Sequence, residues 1–141
     1  MMNISRHKHR SMAMQILYGL DLQRSLKKEA AVEALERKKN EKNLKDKNCN
    51  YYFETLVLGV IENLEKIDKN IEKNAVSWHL YRMPVVDRNI LRIAIFEVLE
   101  KLPTGIAINE AVELAKEYGS AKSSSFINGV LSKIAEEEEA N

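Results

Sequence analysis

Apolar residues recur every three or four positions in segment after segment of this chain, and no stretch alternates with period two long enough to make a convincing strand. Ala13, Ile16, Leu17 and Leu20 form one helical stripe, and Ser11, Gln15, Tyr18 and Leu22 lie on the neighbouring face, which puts Tyr18 at the stripe's edge. A weaker helix runs from Glu29 to Lys38, with Ala31, Ala34 and Leu35 inward. From Lys38 to Asn50 the chain is polar, charged and aperiodic, and it reads as a mobile loop. A third helix starts near Asn48 or Asn50, either of which can cap it. Phe53, Leu56, Val57, Val60, Ile61, Leu64, Ile67 and Ile71 then hold one stripe across roughly six turns.

The most apolar stretch is Trp78 to Leu102. Ser77 can cap a short turn that ends before Pro84, and Met83, which precedes that proline, marks a break. Pro84 suits a first helical turn, where no backbone N–H is needed. Val85, Val86, Ile90, Leu91, Ile93 to Phe96, Val98, Leu99 and Leu102 then point nearly all round the axis, as in a helix buried among other helices. Asp87, Arg88, Arg92 and Glu97 interrupt the run, so it is not a membrane span. Those four charges are either ion pairs at the core's edge or groups that face a partner.

Pro103, Thr104 and Gly105 are expected to end that helix. Ile108, Ala111, Val112, Ala115 and Tyr118 define the next, with Gly119 placed to stop it. Ser120 can cap a last helix whose inner face is Phe126, Ile127, Val130, Leu131 and Ile134. Gly129 costs helix stability there, and the expected reason is close approach of a neighbouring backbone. Residues Glu136 to Ala140 set negative charge at a helix C-terminus, so fraying is expected. The pattern predicts an all-α protein of about seven helices.

With 141 residues there is room for one domain with a real core. Hydrophobic content of 45% and charged content of 30% describe a soluble globular chain, and five glycines and two prolines favour long helices. The net charge of +1 hides an asymmetry: Arg6, Lys8 and Arg10 crowd the start and Glu136 to Glu139 the end. One cysteine, Cys49, excludes an internal disulfide framework and fits a reducing compartment. No signal-peptide or lipidation pattern is visible, and a cytoplasmic location is expected.

Enzyme chemistry finds little support. There is no phosphate loop and no dinucleotide fingerprint. His7 and His9 lack further ligands for a metal, Cys49 has no fixed histidine partner, and Glu97, Glu100, Glu110 and Glu113 read as helix-surface carboxylates. No catalytic residue, metal site or cofactor is expected. Two binding features remain. The basic arm can neutralise phosphates, with Tyr18 nearby to stack on unpaired bases. Lys116, Lys122 and Ser123 to Ser125 surround Phe126 where the last helix begins, and helix N-termini favour anions. Core packing for Phe126 and plain solvated surface for the lysines are the alternatives.

Four segments carry a resemblance: RHKHRSMAMQILYGLDLQ, then WHLYRMPVVDRNILRIAIFE, then AINEAVELAKEYG, then FINGVL. Their order and spacing resemble the NusB family of bacterial transcription antitermination factors over nearly the whole chain. The resemblance implies two three-helix bundles packed across each other around the buried central helix, residues 1–76 and 77–141 of one domain spanning 1–141. It implies a non-enzymatic role: binding boxA-type single-stranded RNA with the ribosomal protein NusE, within an RNA polymerase antitermination complex on ribosomal RNA transcripts. The family's RNA contacts map onto Arg6, Lys8, Arg10, Tyr18, Lys122, Ser123 and Phe126, and its NusE surface onto Asp87 and Arg88. The chain departs from the family in two places. Its arm has only two arginines, and histidine is mostly neutral at pH 7, so RNA affinity is expected to rise toward pH 6. Thr104 and Gly105 stand where many relatives carry a bulkier or basic residue, so an RNA contact there is not expected. A helical interaction module or homodimer, and the N-terminal fragment of an rRNA cytosine methyltransferase, are the competing readings. The methyltransferase would need a methyl-donor domain after Asn141.

Overall fold

A computed structural model describes residues 4–44, 50–75 and 79–140. The expectations for Asn48, Cys49, Ser77 and Trp78 fall outside these. The described residues form seven α-helices and one 3-10 turn, with no strand among them: α1 (Arg6–Leu22), α2 (Lys28–Glu41), α3 (Tyr52–Glu62), α4 (Leu64–Asn74), a turn at Leu80–Arg82, α5 (Val85–Leu99), α6 (Thr104–Tyr118) and α7 (Ser123–Ala140). The all-α expectation holds. No described helix is long and apolar enough to cross a membrane.

Helix α5 is the centre. Its residues from Asp87 through Glu97 are all buried, and α1, α3, α4, α6 and α7 pack on it. Helices α1, α2 and α3 also pack on one another, as α6 does on α7 and α4 on α7. Ala13, Leu17, Leu56, Val60, Ile90, Leu91 and Ile127 meet in one continuous core. Such helix-on-helix packing is what a residue set apolar on every side demands.

Several local expectations are corrected. The six-turn third helix is two helices, α3 and α4, hinged at Asn63. The Asn63 amide donates to the Gly59 carbonyl at 2.8 Å, an alternative to the helical ladder that asparagine offers readily. Helix α2 runs to Glu41, so the polar loop starts later. Pro84 and Pro103 each stand one residue before a helix, and their carbonyls accept from Arg88 and Ala107 at 3.1 Å. The chain leaves α5 at Lys101, whose φ is 72°, and Thr104 and Gly105 already belong to α6. Gly129 is exposed with nothing within 4 Å of a Cβ placed there. The close approach occurs instead at Gly59, where a Cβ would lie 2.1 Å from the Phe96 ring; glycine lets α3 seat against α5. Helix α7 continues through its acidic residues to Ala140.

Candidate nucleic-acid interface

The basic arm is the first turns of α1 and not a free tail. Ser5 caps the helix, accepting from the Lys8 N–H at 3.1 Å. A helical arm sends successive cations to different faces, and their surroundings diverge. Arg6 and Lys8 are exposed, and the Arg6 guanidinium lies 3.8 Å from the centre of the Tyr52 ring. Arg10 turns inward and is only 5% exposed. Its Nε donates to both oxygens of Glu97, at 3.1 and 2.9 Å, and its Nη1 lies 3.4 Å from Glu110. The Tyr52 hydroxyl also donates to Glu97. Burial and that bond push the Tyr52 phenol up to about 12. Glu97 is therefore a buried ion-pair partner, which corrects its reading as a surface carboxylate.

The two histidines differ for the same reason. His7 bonds Glu117 and lies 3.5 Å from Glu110; the Glu117 bond outweighs partial burial, and its pKa is raised. His9 Nδ1 accepts the Phe53 N–H at 3.2 Å while its ring stacks on Phe53, and burial, aided by Arg6, lowers its pKa.

Tyr18 is exposed two turns beyond Arg10. Between them Gln15 donates to the Tyr118 hydroxyl at 3.0 Å, and Ser11 bonds the same hydroxyl. Tyr118 ends α6, so this link ties α1 to the α6–α7 corner. At that corner Lys122 is exposed and Phe126 is half-buried against the core. Ser123 is buried: its hydroxyl donates to Asp87 at 2.7 Å and accepts the Ser120 N–H at 2.9 Å. Ser123 thus shapes the corner from below. Arg6, Lys8, Tyr18, Lys122 and Phe126 are at least partly open to solvent; Arg10 and Ser123 are not.

Asp87 and Arg88 are both buried, so the α5 charges are core ion pairs and polar contacts rather than an outward-facing pair. Burial raises the Asp87 pKa, partly offset by the Ser123 bond. Arg88 donates to Asp21 at 2.6 and 2.8 Å. Asp21 also accepts from Asn89 at 2.9 Å and from Arg92 at 2.9 Å, and Arg92, which is 0% exposed, reaches Asp68 as well at 2.8 and 3.0 Å. Burial alone would raise the Asp21 pKa; Arg88, Arg92 and Asn89 together bring it below the ordinary value. Above Arg88 the Tyr81 ring stands 74% exposed, 5.3 Å from the guanidinium.

The family model described as "NusB family" matches residues 7–136. This chain belongs to the NusB family. It is 46% identical over 136 residues to the transcription antitermination protein NusB of Halothermothrix orenii, covering 96% of this chain and all of that one. It is also similar to the solved structure of T. maritima NusB, with a TM-score of 0.78 and 32% identity over 96% of this chain and 94% of that one. A crystal structure of antitermination factors NusB and NusE in complex with double-stranded RNA matches at the same TM-score of 0.78 and 32% identity, covering 95% of this chain and 99% of that chain.

Sequence reasoning missed four side chains that touch or tie together the candidate residues: Gln15, Tyr52, Glu97 and Tyr118. Gln15 and Tyr118 carry a readable signal, since each lies at the edge of an apolar stripe. The pairing of Arg10 with Glu97 spans 87 positions and has no local signature.

Proposed function

We propose that this protein is a non-catalytic antitermination factor that binds boxA-type single-stranded RNA jointly with the ribosomal protein NusE. The observation that carries this reading is that exposed Arg6, Lys8 and Tyr18 stand along α1, which the Gln15–Tyr118 hydrogen bond ties to the α6–α7 corner bearing exposed Lys122 and half-buried Phe126. Cations there release counterions from phosphates, and the rings offer faces to unpaired bases. The NusB–NusE relative was solved with double-stranded RNA; two aromatic faces on the present chain favour a strand whose bases are free to stack.

Arg10 contributes by positioning. Locked on Glu97 and Glu110, it joins α1 to α5 and α6 and fixes the turn that carries Arg6 and Lys8. Asp87 and Arg88 act on the partner surface from beneath. Asp87 holds Ser123, and Arg88 underlies exposed Tyr81, which supplies the apolar contact for NusE. With NusE docked, the RNA site extends onto the partner, and the pair joins the antitermination complex of RNA polymerase in the cytoplasm.

The test is a fluorescence titration of a boxA-like RNA and a scrambled RNA, with and without NusE. The expected result is weak binding alone, tighter and sequence-selective binding with NusE, and a loss of about five- to 150-fold on Tyr18→Ala, since one stacked base contributes about 1–3 kcal/mol. Equal affinity for both RNAs in the presence of NusE overturns the reading.

A further inference from the structure

Gly19 lies inside α1, where glycine weakens a helix relative to any ordinary residue. Nothing in the fold uses the space it leaves: a Cβ placed there meets no atom within 4 Å. That separates it from Gly59, whose missing Cβ is filled by the Phe96 ring. The space above Gly19 is instead a groove of about 190 Å³ between α1 and α2. Ile16, Leu20 and Ala34 give it an apolar floor, and Gln15, Arg37 and Lys38 stand on its rim. Gly19 is the neighbour of Tyr18, so the groove continues directly from the face proposed above to bind RNA.

The rim carries the charge that a nucleotide needs. Arg37 is exposed and has no ion-pair partner among the described residues. Lys38 holds its amine 3.4 Å from the Gln15 carbonyl oxygen and 3.4 Å from Glu41. Glu41 is the single carboxylate lining the groove; it is exposed, Lys38 is half-buried, and at 3.4 Å one helical turn apart the pair is loose enough for a phosphate to replace the carboxylate.

We propose that the groove between α1 and α2, kept open by Gly19, receives one unpaired nucleotide of the RNA next to the base on Tyr18, with Arg37 and Lys38 holding its phosphate. This rests on the RNA-binding reading and extends its footprint onto α2. The apolar floor takes the base, the Gln15 amide meets its polar edge, and an added side chain at position 19 would fill the place.

The test uses the full chain with NusE and a fluorescein-labelled single-stranded boxA-like RNA, titrated over a range of salt concentrations. Gly19→Leu is expected to raise the thermal midpoint, because leucine is the better helix former, while it weakens RNA binding several-fold. Arg37→Gln with Lys38→Gln is expected to lower the slope of log affinity against log salt by about 0.7, the value for the one single-strand phosphate they share. The same charge removal at Lys66 and Lys69 on α4, which do not line the groove, is expected to leave the slope nearly unchanged. Glu41→Gln is expected to tighten binding. Wild-type affinity in Gly19→Leu, or equal loss from the α4 pair, overturns the groove assignment while the RNA-binding reading stands. Failure of the unaltered chain to bind with NusE overturns that reading and this inference with it.

Discussion

Arg10 and Glu97 hold each other through two hydrogen bonds of 3.1 and 2.9 Å, with the Glu97 side chain only 2% exposed. A buried pair of this kind is costly to break, because the surviving charge is left without a partner. Glu97→Ala is expected to lower unfolding free energy by about 3–5 kcal/mol in chemical denaturation, and Arg10→Ala by a similar amount. The double variant Arg10→Met with Glu97→Leu is expected to recover most of the loss. Loss of RNA affinity in Arg10→Ala therefore reports on the helix as a whole. Arg6→Ala and Lys8→Ala, at exposed positions, are expected to weaken RNA binding with the thermal midpoint unchanged.

Asp87 and Asp21 pull the acid response of the fold in opposite directions. The Asp21 pKa is depressed in the folded chain, so its contribution is present above its ordinary value of 3.8 and is lost as pH falls through the lowered folded value. The Asp87 pKa is raised, so the folded state binds its proton more readily than the unfolded state does, and stability declines as pH rises from 3.8 through the raised value. Asp21→Asn is expected to be destabilising at pH 7 and progressively less so in acid. Asp87→Asn is expected to be neutral or stabilising at pH 7, its advantage fading below 3.8. Denaturation midpoints between neutral pH and strong acid check both signs. Asp87→Lys places an amine in a buried site beside Ser123 and is expected to reduce stability before it reports on any partner.

His7 and His9 likewise diverge. The raised pKa of His7 makes its bond to Glu117 fully effective below 6.5 and lost as pH rises through the folded value. The lowered pKa of His9 means that its folded-state contribution is present above 6.5 and is lost as pH falls. Protonating His9 at Nδ1 would also cost the bond from the Phe53 N–H. The rise in RNA affinity toward pH 6 expected of both histidines is thereby confined to His7, whose charge Glu110 and Glu117 already match. His7→Gln is expected to flatten any such rise, and His9→Gln to leave it in place, as RNA titrations at pH 6 and pH 8 would read.

Gly59→Ala is expected to cost about 1–3 kcal/mol, because its Cβ would overlap the Phe96 ring at 2.1 Å. Phe96→Leu in the same chain is expected to restore part of the loss by clearing the ring. Thermal melts of the single and double variants measure the coupling.

The all-helical character, the inner stripes of α1, α2 and α7, and the buried status of α5 are legible in the sequence, because apolar periodicity is a local property. The cations at Arg6 and Lys8 and the exposed ring of Tyr18 are legible for the same reason. The break at Asn63 is not, since the apolar stripe of α3 continues in phase into α4 while the Asn63 side chain captures the Gly59 carbonyl. Nor is the fate of the charges. Arg10 meets Glu97 across 87 positions, Arg88 meets Asp21 across 67, and Arg92 meets Asp21 across 71. Which cation stays free to meet a phosphate and which is consumed by the core depends on what the packing of distant helices brings within 3 Å. Only the tertiary structure decides that, because charge energies depend on spatial separation and burial, and neither is a function of position along the chain.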